Sequence, residues 1–562
     1  MGGSFALRQT LPHAAPLPPQ TRSAPHAPPT HVHTHARAED NFDDNGAAWF
    51  SAWLLPPLSP PAQASPYPPS APFAPSPLRA ESFQEAKPGS PLFDKGMARL
   101  DDFVAEFAKD VLADSLPQVS WLVGPANLSE HAAYHPSAGE DLSARLIKAL
   151  AANPAVYAKT LFLFTYDENG GFWDHQVPYT IPLSKDGSDG ESTVTTAGEE
   201  WLGLPIGPGF RVPFMAISPW SRGGYVVSEL FDHTSSIRLI ERRFNVTVPT
   251  ISPWRRAMLG DLTSALNFSA PNYDTAWVAA LPDTSAYPAE SITECDTLPP
   301  PKVPATQAMP AQPAGVRPAR ALPYALRTAA ACTPQGLALT LVNEGAAGLP
   351  ALAYDYAASP PPPPRKYAVE AGKTLAARAP WPAPYDVALH SVNGYARRYV
   401  GGSCAGSEGS AGAELSYAPA QGKVVLTLAP GATYNVTDMA YGSGGPWTVA
   451  APAGGPAVAW EWDAAPSAMH YDLQVTLAGS SGSTWLRRAM GRMETGQESS
   501  SDPAQGTGAP ALHPFEHPQH HPDVPEALRQ VPRKADYTPA QLKAQGGAVH
   551  KDATLSQRFG DL

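Results

Sequence analysis

A chain of 562 residues has room for two to four domains, but 66 of its residues are proline, more than twice the average share, so the folded part is shorter than the chain. A formal net charge of −12 with no basic stripe excludes nucleic acid as a partner, because nothing is there to neutralise a run of phosphates. No apolar run approaches the roughly 18 residues of a transmembrane segment, no basic-then-apolar leader is visible at the N-terminus, and Cys295, Cys332 and Cys404 show no metal-type spacing and allow at most one disulfide, which leaves the compartment open.

Residues 1–40 are rich in Pro, Ala and His without a helical or strand period and read as disordered; His31, His33 and His35 are either a weak metal binder or part of a flexible polar tail. Residues 41–53, NFDDNGAAWFSAW, look structured, with Trp49, Phe50 and Trp53 at helical spacing. A Pro/Ser/Ala-rich insert at 55–78 interrupts them, an odd feature for a compact domain. Residues 97–114 predict an amphipathic helix in which Phe103, Phe107 and Val111 recur at four-residue steps. Residues 118–123 predict a strand, and 141–150 a helix with Leu142, Leu146 and Leu150 on one face. The run Leu161-Phe162-Leu163-Phe164-Thr165-Tyr166 predicts a strand buried on both faces, and it breaks into Asp167-Glu168-Asn169-Gly170-Gly171-Phe172-Trp173-Asp174-His175. Residues 211–218, RVPFMAIS, predict another apolar strand. Asp232-His233-Thr234-Ser235 opens a helix to Phe244, with Thr234 or Ser235 as its N-cap and His233 at its start.

Strands alternating with helices argue for a three-layer α/β domain over residues 41–290 with a mostly parallel sheet. A Pro-rich linker at 291–321 follows. Short alternating strands then recur in two units, 322–403 and 412–500, which predicts two small β-sandwich modules. Residues 501–562 are polar and Pro/His-rich; His513, His517, His520 and His521 there fit a solvated tail better than a metal site.

Four polar clusters follow a predicted strand or open a helix: Ser129-Glu130-His131, Asp167-Glu168, Asp174-His175 and Asp232-His233. Singly, each reads as a solvated turn or a helix cap. Together, at the carboxyl edge of one sheet where open α/β folds bind ligands, they point to a site. Carboxylate oxygens and imidazoles suit a divalent metal, which would polarise a phosphoryl oxygen.

The runs YDENGGFWDH, RVPFMAISPWSRGGYV and FDHTS, with the SEH loop, resemble the bacterial phosphoesterase family. That family holds the phosphocholine-preferring, non-haemolytic type phospholipases C and related acid phosphatases, and has the alkaline-phosphatase-like fold. NFDDNGAAWF and GSPLFDKGMARL are similar to segments these phospholipases carry before the SEH loop, and LPYALR, RKYAVEAGKTL and GRMETGQESSSDP are similar to their paired C-terminal modules. The resemblance implies a phosphodiester hydrolase acting on phosphatidylcholine-like lipid at a membrane surface, giving diacylglycerol and phosphocholine with the help of a divalent metal ion. It implies Asp167 and Glu168 as metal ligands, with Asp174 and His175 lining the same site and His131 and His233 binding phosphoryl oxygens or protonating the leaving alkoxide. It also makes Phe172, Trp173 and Trp220 core or site-wall residues, a choline cage being the alternative. Members are exported, so a periplasmic or secreted location is implied.

The chain departs from the family in residues 1–90. The Glu-Asn-Arg-Ser-Phe-Asp-His type strand end and the Thr or Ser nucleophile in a Gly-Pro-Thr type context are not found there. An N-terminally incomplete domain is therefore expected, with no phospholipase turnover by the chain as written, since the mechanism would lack its first step. Two alternatives follow: a non-catalytic lipid- or surface-binding remnant, and an acid phosphatase acting on monoesters. The paired modules favour the phospholipase over the phosphatase.

Overall fold

The computed structural model describes residues 2–8, 32–35, 54–55, 79–80, 100–124, 128–131, 134–174, 176–299, 302, 314–479 and 484–507. The segment 41–53, expected to be structured, the body of the 55–78 insert and the tail histidines lie outside these residues. Elements run as expected through the α/β part: helix Leu100–Leu112, strand Val119–Val123, helix Pro136–Ala151, strand Thr160–Tyr166, strand Phe214–Ile217 and helix His233–Phe244. The second helix begins five residues before the predicted Asp141, because Pro136 supplies a preset φ at its first turn.

Strand Thr160–Tyr166 organises two cores. Phe162 and Phe164 pack with Phe107, Val111, Leu142, Leu146 and Leu150 from two helices on one face. Leu161 and Leu163 pack with Trp220, Leu239 and Leu262 on the other. The strand alternates its side chains between two faces, and each face is covered. The sheet order is Phe214–Ile217, Thr160–Tyr166, Gly2–Arg8, Val119–Val123, Val32–His35.

The mostly parallel pairing is corrected. Strand Gly2–Arg8 runs antiparallel to both of its neighbours, and Phe214–Ile217 runs antiparallel to Thr160–Tyr166; only Val32–His35 pairs in parallel, with Val119–Val123. Between Tyr166 and Phe214 the chain makes short strands and turns with no crossover helix, so it returns along the sheet edge in the opposite direction. These pairings also correct the disordered reading of 1–40 at residues 2–8 and 32–35. As an edge strand, Phe214–Ile217 leaves Phe214 and Met215 exposed instead of buried. The expected linker is partly helical, with helix Tyr287–Thr297 crossing its start. The segment before that helix is tied to helix Pro136–Ala151 by Thr284 Oγ1 donating to Asp141 Oδ1 at 2.8 Å and by Lys148 Nζ donating to the Pro282 carbonyl at 3.3 Å.

The modules contain two separate cores, one around Leu337, Leu341, Leu352, Val387 and Leu389, the other around Val424, Leu426, Val436, Leu473 and Val475. Each core lies between a three-stranded sheet and half of one continuous nine-stranded sheet. The halves meet where Ala396–Gly401 pairs antiparallel with Leu486–Arg492, placing Arg398 opposite Arg488. The sequence repeats across this point. Tyr385-Asp386 and Arg397-Arg398 in the first module match Tyr471-Asp472 and Arg487-Arg488 in the second. Arg398 forks onto Asp386 and Arg488 onto Asp472, each at 2.7 and 2.8 Å. The other two arginines exchange partners: Arg397 Nη2 donates to Tyr471 Oη and Arg487 Nη2 to Tyr385 Oη, both at 2.9 Å. Reciprocal contacts of this kind define a pseudo-two-fold axis, as in an isologous dimer.

A disulfide joins Cys332 to Cys404 and leaves Cys295 free and exposed. The α/β part extends the nine-stranded sheet through Gly190–Ser192, which pairs in parallel with Arg365–Val369. Gly190 has φ +119, and a Cβ there would lie 1.8 Å from the Lys366 carbonyl oxygen, so only glycine allows this junction.

Candidate active site

Three of the predicted clusters meet at the carboxyl end of strand Thr160–Tyr166. From the SEH loop, Glu130 reaches the strand end and accepts a short hydrogen bond from the Tyr166 hydroxyl. Burial raises the Glu130 carboxyl above its ordinary value of 4.5, and burial with the Glu130 contact raises the Tyr166 phenol. Gly139 makes room for this loop, since a Cβ there would sit 2.4 Å from Glu130 Cγ. His131 donates its backbone N–H to Ser129 Oγ at 3.3 Å, and its ring stands edge-on to Tyr134 at 6.2 Å.

The turn after the strand is held locally. Glu168 donates its backbone N–H to Asp167 Oδ1 at 3.0 Å, and Asn169 and Phe172 exchange hydrogen bonds around Gly170 and Gly171, both at positive φ. His233 comes from the helix that follows FDHTS, and its Nε2 lies 2.8 Å from the Asp167 carbonyl oxygen. A carbonyl only accepts, so Nε2 carries the hydrogen and Nδ1 is the nitrogen left to exchange a proton. Asp174 pairs with Arg211, and its Oδ1 accepts from the Gln176 backbone at 3.0 Å. His175 lies outside the described residues.

Asp232 is the predicted site-cluster member with a structural task. It is the N-cap of helix His233–Phe244, displacing Thr234 and Ser235 from that role; Thr234 donates to its side chain and Ser235 closes a capping box. Its second oxygen pairs with Arg255, which also forks onto Glu199 at 2.8 and 2.9 Å and donates to the Gly207 carbonyl at 3.0 Å. Ser252 Oγ donates to Glu199 at 2.6 Å. Arg255 and Arg211 went unnoticed in sequence because each finds its carboxylates far along the chain; PWRRAM and FRVP carry no local signal. Phe172 and Trp173 are exposed, which corrects the core reading for them, with Trp173 stacked on Phe210 at 5.8 Å, whereas Trp220 is buried in the core.

Among the described residues, no group of three or more His, Cys, Asp and Glu side chains comes together to hold a metal. Asp167 and Glu168 offer two carboxylates, and the Nε2 of the nearby His233 is spent on a backbone carbonyl. These residues by themselves do not complete a coordination shell. Among the described residues, no helix is long and apolar enough to cross a membrane.

Comparison with known proteins agrees with the motifs. Residues 38–247 match the phosphoesterase family, and residues 318–402 and 412–492 each match the C-terminal domain of bacterial phospholipase C. The chain is 40% identical over 461 residues to a non-hemolytic phospholipase C of Pseudomonas aeruginosa, covering 78% of this chain and 65% of the relative. It is 39% identical to the non-hemolytic phospholipase C of Burkholderia pseudomallei, covering 76% and 63%. It is 40% identical over 256 residues to phospholipase C B of Mycobacterium tuberculosis, covering 43% and 48%. The chain thus spans a little under two thirds of the length of the first two relatives. With its strand-end motifs, its described α/β layers and its two C-terminal modules, the chain carries a phosphoesterase-family domain followed by the paired C-terminal domain of bacterial phospholipase C.

Proposed function

We propose that the strand end at Tyr166–Asp167 is the phosphate-handling edge of a phospholipase C-type site. Its substrate is a phosphatidylcholine-like lipid, cut on the glycerol side of the phosphate to release diacylglycerol and phosphocholine. The observation that carries this reading is the meeting of the YDENGG turn with the FDHTS helix, where His233 Nε2 stands 2.8 Å from the Asp167 carbonyl. The likeness to phospholipases C along both the α/β part and the modules supports it.

In this reading the Asp167 carbonyl orients His233, whose Nδ1 delivers a proton to the leaving alkoxide. Glu130, whose carboxyl keeps its proton to higher pH through burial, is a second proton source at the same strand end. His131 contacts phosphoryl oxygens, and Asp174, held by Arg211, lines the site. Asp167 and Glu168 form the metal-facing edge. A divalent ion there would polarise the phosphoryl oxygen; two carboxylates do not complete its shell, so no step is routed through it, and no nucleophile is assigned among these side chains. The modules favour lipid over monoester substrates, and the Cys332–Cys404 disulfide fits the oxidising compartment of an exported protein.

The test compares the chain with Asp167→Asn on p-nitrophenyl phosphocholine and p-nitrophenyl phosphate, with phosphocholine binding measured by calorimetry. Release from the diester that Asp167→Asn abolishes supports the reading. Binding without release keeps the site but takes hydrolysis away from this chain. Release from the monoester alone makes it a phosphatase, and neither binding nor release overturns the reading.

A further inference from the structure

Residues 200–206 build a feature the hydrolytic site does not use. Strands Glu200–Trp201 and Leu204–Pro205 pair antiparallel, with Trp201 opposite Leu204, and Leu202 and Gly203 form the two-residue tip. Both tip residues have positive φ, +51 and +79, the pattern of a type I′ turn. Such turns take Asn, Asp or Gly at both places, because other L residues are strained in the left-handed region. Leucine at the first position therefore works against folding. Burial does not explain it either. Leu262 also has positive φ, but its side chain is 2% exposed in the core, whereas Leu202 is 77% exposed.

The neighbours of Leu202 are of the same kind. Trp201 is 50% exposed and Leu204 68%, and no charged residue stands between Trp201 and Phe210. The base of the hairpin is fixed while its tip is free. Ile206 donates its N–H to the Glu199 carbonyl, and Glu199 is clamped by Arg255. From the hairpin the chain runs to Phe210, stacked on Trp173, and to Arg211, paired with Asp174. An uncharged apolar tip with a tryptophan at its shoulder suits the boundary between headgroups and acyl chains. A net charge of −12 sets the molecule against an anionic surface and leaves a zwitterionic one.

We propose that the Glu200–Pro205 hairpin is a wedge that docks this protein on a zwitterionic phospholipid surface beside the site, with Leu202 and Leu204 entering the bilayer. The choice of lipid as occupant rests on the phospholipase C reading; the exposed tip and its strained leucine do not.

The experiment is partition of the purified full chain onto phosphatidylcholine vesicles by flotation, in parallel with thermal melting. The wild type is expected to bind. Leu202→Asn is expected to melt at the same or a higher temperature, since Asn suits the turn, and yet to partition about tenfold more weakly, the share of one leucine removed from water. Adding Leu204→Ser is expected to weaken partition about tenfold again. Phe268→Ser, at an exposed phenylalanine elsewhere, is expected to leave partition unchanged, and phosphatidylserine in the vesicles is expected not to strengthen it. A wild type that does not bind the vesicles overturns the proposal and points to cover by another part of the chain or another protein. Equal partition of Leu202→Asn and wild type overturns it as well. Hydrolysis takes no part in this readout, so turnover of a water-soluble diester without vesicle binding refutes the wedge and spares the site.

Discussion

Replacing Arg255 with methionine tests how the site is held in place. The Glu199 and Asp232 side chains that Arg255 joins are only 2% and 4% exposed. Methionine fills a similar volume but leaves two buried carboxylates without their cation. Removing one partner of a buried ion pair costs 3–5 kcal/mol, and because the two acids share a single cation the loss is expected near that of one pair, about 4 kcal/mol. Arg255→Lys keeps the charge but not the planar fork, so about half of that loss is expected. Urea unfolding of the full chain at pH 7 measures both. Asp232 caps the helix that carries His233, so phosphocholine binding should weaken along with stability. An Arg255→Met protein within about 1 kcal/mol of wild type would refute this reasoning.

Two further outcomes concern the modules. Removing the Cys332–Cys404 bridge by a double Cys→Ser change reopens a loop of 72 residues, and loop-closure entropy puts the loss at about 4 kcal/mol, read by urea unfolding with and without reductant. Burial holds His470 below its ordinary value of 6.5, with its Nδ1 donating to the Ser467 carbonyl at 3.1 Å. Stability from this group is present above about 6.5 and is lost as pH falls through the depressed value, so melting curves of His470→Gln should lack that acid-side decline.

What was legible in the sequence follows the range of the interactions. Thr160–Tyr166 was readable because a strand covered on both faces is apolar throughout, and the covering helices were readable from Leu142, Leu146 and Leu150. Strands Leu326–Thr333 and Ala413–Ala418 were not, since alanine has little preference for strands and pairing with neighbours decides them. Sheet direction was also hidden: an apolar run shows burial but not which way its partner runs, and Gly2–Arg8 lay in a stretch whose composition argued for disorder. Of the site, Asp167 and His233 could be singled out from their places at a strand end and a helix start. That Asp232 serves Arg255, and that Asp174 serves Arg211, depends on residues 23 and 37 positions away, which no local pattern announces.

The central claim is that the Asp167 turn and His233 act on one phosphate. Calorimetric binding of phosphocholine to the full chain and to His233→Ala tests it most directly, because it needs neither a nucleophile nor turnover. Loss of one charge-assisted hydrogen bond is expected to weaken binding by about 10- to 100-fold while the melting temperature stays near that of wild type. Equal affinity in the two proteins would contradict the claim.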